Sequence, residues 1–104
     1  MDALVRKLLK RRIPAKKSTT DKFMFAAMNK VEIDSIGCGI TAEAIGTDVH
    51  VYLDGVLSLI VKPVGEEVIF DTKKEDNRLL PVVFCVFQYI IECGDVKGLP
   101  EEDR

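Results

Sequence analysis

Residues Asp48 to Asp71, DVHVYLDGVLSLIVKPVGEEVIFD, constrain this chain more than any other stretch, because two strand patterns meet there at Asp54-Gly55. A two-residue loop between right-twisted strands requires positive φ at both central positions, which Asp tolerates and Gly adopts freely. Reversal at that point sets Leu53 opposite Val56, Tyr52 opposite Leu57, Val51 opposite Ser58 and His50 opposite Leu59. Beyond Lys62, Pro63-Val64-Gly65-Glu66 reads as a second reversal, and Glu67 to Asp71 as the strand that follows it. Upstream, Ile40, Ala42 and Ala44 alternate with Thr41, Glu43 and Ile45, and Gly46-Thr47 is a loop of the kind that closes hairpins. The chain therefore predicts an antiparallel meander of three to four strands in sequential order, with Val56–Lys62 central. Leu57, Leu59 and Val61 fall on one face of that strand and Val56 and Ile60 on the other. Cover is expected on both faces, from the chain's own helices or from a partner.

Helical patterns flank the meander. Asp2 is a plausible N-cap for a helix through about Arg12, with Leu4, Val5, Leu8 and Leu9 as its apolar stripe and Lys10, Arg11 and Arg12 near its negative end. Pro14 stops it. Ser18, Thr19 and Thr20 offer caps for a second helix from about Asp21 to Val31, on which Phe23, Ala27 and Val31 align beside Met24 and Met28, while Lys22, Asn29 and Lys30 face water. After a charged loop, Lys73 to Asn77, the run from Pro81 to Gly94 predicts a C-terminal helix laid across the sheet. Only Gln88 and Glu92 are plainly polar on it, so its far side should hold a second contact surface. The fold class is α+β: two N-terminal helices, the meander, and a C-terminal helix packed on the sheet. Residues 1–17 read as a basic amphipathic helix and linker, 18–94 as one globular domain, and 95–104 as a mobile acidic tail.

At 104 residues, 47% apolar and 31% charged, the chain suffices for one domain that buries roughly two thirds of its unfolded surface without staples. No run approaches the ~18 apolar residues of a membrane span. Cys38, Cys85 and Cys93 form no C-x-x-C pair and read as reduced, buried thiols, as expected of a cytoplasmic protein. The formal charge of −2 hides a strong asymmetry: the first thirty residues carry about +7 and the remainder about −9. A basic arm precedes an acidic body. Arg6, Lys7, Lys10, Arg11, Arg12, Lys16 and Lys17 are the candidates for an anionic partner, nucleic acid included, or for contact with the acidic surface of the chain itself or of a second copy. No aromatic residue is interleaved with the core of that arm, so it offers bases no stacking platform.

Chemistry is sparse. His50 is the only histidine, and no spacing of Cys, Asp or Glu around it suggests a metal site or calls for a cofactor. Gly37-Cys38-Gly39 puts a thiol on a sharp turn, but Cys38 and His50 alone supply a nucleophile and a base without an orienting third group. Gly37-Cys38-Gly39 also lacks the third glycine and the helix of a phosphate-binding loop. Glu66-Glu67 and Glu75-Asp76 fall in turns, without the apolar setting that prepares a carboxyl for proton transfer. The expected function is non-catalytic: a small adaptor or inhibitor acting through protein contacts, either by adding its sheet edge to a partner or by docking the Phe84, Phe87 and Ile91 region, with a homodimer through one of these as its state. Nucleic-acid binding through the arm is the alternative.

Overall fold

The computed structural model describes residues 2–20 and 23–93. In chain order these form α1 (Ala3–Leu9), β1 (Ile13–Pro14), α2 (Lys17–Thr20), α3 (Phe23–Asp34), β2 (Ile40–Ile45), β3 (Asp48–Leu53), β4 (Val56–Val64), β5 (Glu67–Thr72) and α4 (Leu79–Glu92). The strands make one antiparallel sheet in the order β1-β5-β4-β3-β2. The architecture is α+β, with the meander in sequence order and β4 at its centre. The tail from residue 95 lies outside the described residues.

Asp54 and Gly55 take φ of 52° and 82°, as a primed hairpin turn demands, and Leu53 pairs with Val56 and Tyr52 with Leu57. The register then slips. Val51 pairs with Leu59 and His50 with Ile60, so the expected pairings of Val51 with Ser58 and of His50 with Leu59 do not form. Ser58 is the extra residue of a β-bulge. Its buried hydroxyl donates to the Val56 carbonyl at 2.9 Å, and its own carbonyl accepts from the Lys73 and Lys74 amides at 2.8 and 3.1 Å. The bulge moves Leu57 off the face of Leu59 and Val61 and beside Tyr52. Pro63 lies on β4 beyond Val61, where pairing with β3 has ended and no donor is needed.

One sheet face carries Ile40, Ala42, Val49, Val51, Leu53, Leu59, Val61, Val68 and Phe70, all in a single apolar cluster with Val5 and Leu9 of α1, Phe25, Ala26 and Ile33 of α3, and Leu79, Val82, Val83, Val86 and Ile90 of α4. Phe25 and Tyr89 meet edge to face, with ring centroids 5.7 Å apart. Among the described residues the helices thus cover one face only. Ile60, buried on the other face, stands outside that cluster, among the half-exposed His50, Tyr52 and Leu57.

Three local expectations need correction. Helix α1 is capped as expected, the Asp2 carboxylate accepting from the Leu4 amide at 2.8 Å, but it ends at Leu9, and Ile13–Pro14 then adds a fifth strand. Ala15 donates to the Glu66 carbonyl, so the same alternation aims the donor-less nitrogen of Pro14 away from β5, where proline costs nothing. Helix α3 buries Phe25, Ala26, Asn29 and Ile33, and leaves Met24, Ala27, Met28 and Val31 exposed. Apolar residues stand on every side of this helix, and the two largest that align with the sheet, Phe25 and Ile33, decide its rotation; Asp21 and Lys22 lie outside the described residues. Of the cysteines, Cys38 and Cys93 are exposed and Cys85 is half-buried, its thiol pushed up by burial and by Glu32.

Candidate functional site

The α4 surface divides into three strips. Leu79, Val82, Val83, Val86 and Ile90 face the sheet. Cys85, Gln88, Tyr89 and Glu92 turn toward α3, where they line a narrow cleft with Met28 and Glu32, and the Gln88 amide donates to Glu92 at 3.2 Å. Phe84, Phe87 and Ile91, spaced i, i+3 and i+7, form the strip on the opposite flank. Phe84 is 57% and Ile91 50% exposed, while Phe87 is half-buried against the core. No charged residue occurs between Leu79 and Ile91. The helical layer also exposes Leu4 on α1 and Met24, Met28 and Val31 on α3. The α3 residues carried no sequence signal of exposure, since their spacing fits a core face as well as the true one does.

The basic arm lies partly against its own body. Arg6 is paired with Glu75 at 2.9 Å and Arg12 with Glu67 at 3.3 Å. The Arg6 guanidinium holds the Glu75 carboxyl below its ordinary range. Lys7, Lys10 and Arg11 make no ion pair among the described residues, although Lys10 also acts on Glu75 through space, and Lys16 has an interaction of its own. Lys17 opens the short helix α2, away from the α1 cluster. Between α1 and β5 is a cleft of about 350 Å³ lined by Arg6, Lys10, Arg11, Arg12, the β5 residues Ile69–Thr72, and Glu75. Its carboxylates are already engaged: Asp71 meets Lys73 at 3.0 Å and Lys62 at 3.2 Å, and both hold its carboxyl down.

Cys38 and His50 are not brought together. Ile40 pairs with Leu53, and His50 lies three residues further along β3, roughly 10 Å at ~3.3 Å per residue, with its side chain on the outer face. Cys38 stands in the left-handed region at φ 57°, and its carbonyl accepts from Arg78 at 3.1 Å. Arg78 also meets Asp54 and Asp76, each at 3.0 Å, which ties the β3–β4 turn to the start of α4. These pairings raise Arg78 and lower Asp76, leaving a satisfied structural cluster in place of a poised acid or base. Among the described residues no group of three or more His, Cys, Asp or Glu side chains is placed to hold a metal ion, and no helix is long and apolar enough to cross a membrane. Comparison with protein-family models, with curated proteins and with solved structures returns no match to this chain.

Proposed function

We propose that this chain is a non-catalytic binding protein of adaptor or inhibitor type, which seats a protein partner on the Phe84, Phe87 and Ile91 flank of α4. One observation carries the reading: two large apolar side chains stand about half exposed on a helix whose other strips are committed to the sheet and to α3. Completing the burial of Phe84 and Ile91 is worth about 2–3 kcal/mol together, since a fully buried side chain of this kind gains about 1.5–3 kcal/mol. Aromatic anchors of this type dominate interface energies. Self-association through the same flank is the symmetric form of this contact and yields a homodimer.

Lys7, Lys10 and Arg11, which make no ion pair among the described residues, then serve to speed encounter with an acidic partner. Nucleic-acid binding through the arm has less support, because Arg6 and Arg12 are already engaged by the chain's own carboxylates and the arm carries no aromatic platform.

The test is the double substitution Phe84→Asp, Ile91→Asp. It should leave the melting temperature within a few degrees while abolishing both the partner captured by the wild-type chain and any dimer seen by sedimentation at tens of micromolar. Phe87→Ala should instead lower stability by about 1–3 kcal/mol, less than a fully buried ring would, because its ring is half-buried. Capture that survives the double substitution but vanishes above physiological salt moves the function to the arm.

A further inference from the structure

Strand β5 is six residues long, but β1 covers only Glu67 and Val68. Two hydrogen-bond alternations agree on what the uncovered part presents. Ala15 donates to the Glu66 carbonyl, so Glu66, Val68, Phe70 and Thr72 aim their main-chain groups away from β4. Lys73 donates to the Ser58 carbonyl on the other side, so Asp71, Ile69 and Glu67 are the residues that bond to β4. The outward amides and carbonyls of Phe70 and Thr72 accordingly have no partner among the described residues, and they open into the 350 Å³ cleft beside α1. The opposite edge of the sheet differs. There the Asp34 carboxylate accepts from the outward Ala42 amide at 2.8 Å, and α3 packs along the strand.

We propose that the Ile69–Thr72 edge of β5 is a docking slot for a short extended acidic peptide segment, which adds as a strand beside β5 where β1 leaves off. Two features fix the occupant. The slot offers both donors and acceptors, at Phe70 and again at Thr72, two residues or ~6.7 Å apart, the repeat of an extended chain. A phosphodiester backbone has acceptors only and would leave both carbonyls unpaired, whereas a polypeptide edge satisfies all four groups. The rim sets the charge. Asp71 and Glu75 are engaged by Lys62, Lys73 and Arg6, so Lys10 and Arg11, which make no ion pair among the described residues, leave the cleft with surplus positive charge. A segment with acidic side chains on alternate positions meets them, and one with basic side chains is repelled. The cleft volume lies at the lower end of the ~300–1,000 Å³ range of ligand sites, and the uncovered stretch Ile69–Thr72 sets the length of the segment that adds there.

This slot uses β5 and α1 and none of the α4 flank, so the two readings fail separately. The experiment follows amide hydrogen exchange of the full chain by NMR while a hexapeptide of alternating Glu and Val is added, with fluorescence anisotropy of the labelled peptide as the affinity measure. Exchange at Phe70 and Thr72 should slow at least tenfold, and the double substitution Lys10→Glu, Arg11→Glu should weaken binding at least tenfold. The same peptide N-methylated at every residue should not protect those amides. Binding without protection at Phe70 and Thr72, equal binding of the N-methylated peptide, equal protection by a ten-base oligo-dT, or no protection at millimolar peptide would each overturn the proposal.

Discussion

A β-carbon at Gly39 would stand 2.2 Å from Asp54 Oδ1, and Gly39 also holds a φ of 77° that side chains rarely adopt. Asp54 cannot swing aside freely, because Arg78 pins its carboxylate at 3.0 Å. Gly37 has a φ of similar sign, yet nothing lies within 4 Å of its β-carbon position. Gly37→Ala should therefore cost about 1–2 kcal/mol, the left-handed backbone penalty alone, and Gly39→Ala more. Urea midpoints measure the difference, and adding Asp54→Gly to Gly39→Ala should shrink it. Asn29 poses the converse case. Its amide donates to the Phe25 carbonyl at 2.6 Å, but the side chain is fully buried and Asn29 Oδ1 has no partner among the described residues. An unpaired buried acceptor costs about 1–3 kcal/mol, so Asn29→Leu should be neutral or stabilising by about 1 kcal/mol in the same assay. A loss of stability would show that this oxygen does find a partner in solution.

At the level of elements, Asp34 joins helix and sheet. Its carboxylate is paired with Lys30 one turn back on α3 and accepts from the Ala42 amide on the exposed edge of β2. Asp34→Ala should cost about 1 kcal/mol and free an edge donor, and light scattering should then show concentration-dependent association beyond the dimer of the wild-type chain. The elements also show what the sequence made legible. Asp54-Gly55 placed the central turn and the first two pairs, and the alternation from Ile40 to Ile45 placed β2. The bulge was invisible, because Ser58 reads as an ordinary strand residue and its role depends on the distant Lys73 and Lys74 amides. The α3 face was misread for a related reason: local spacing admits two faces, and only the tertiary core selects Phe25 and Ile33. Exposure of Phe84 and Ile91 was legible, since a helix with a narrow polar stripe has more apolar surface than one sheet can cover. The β5 slot was not, for it exists only because β1 begins at Ile13, the residues before it having turned away into α1.

Over the whole molecule, paired carboxylates join one element to the next, and this sets the acid response. Asp34 is held low by Lys30 and by the Ala42 amide, Asp71 by Lys73 and Lys62, Glu75 by Arg6, and Asp76 by Arg78. These contacts hold α3 to β2, β4 to β5 and its following loop, α1 to the body, and that loop to α4. Each carboxyl is more acidic folded than at its ordinary value of 3.8 for Asp or 4.5 for Glu, so on acidification the unfolded chain takes up protons first. The stabilisation is fully present above those ordinary values and is lost as pH falls through the lower folded ones. The melting temperature should stay nearly flat from pH 7 to about 5.5 and fall steadily below about 4.5. Exposed pairs contribute little each, so the slope should be shared among them. Arg6→Gln, which releases Glu75, and Asp34→Asn, which removes one of the four groups, should each make the decline between pH 5 and 3 shallower while lowering stability slightly at pH 7. Thermal melts across that range decide the matter: a decline as steep in both variants as in the wild-type chain would assign the acid sensitivity to other groups.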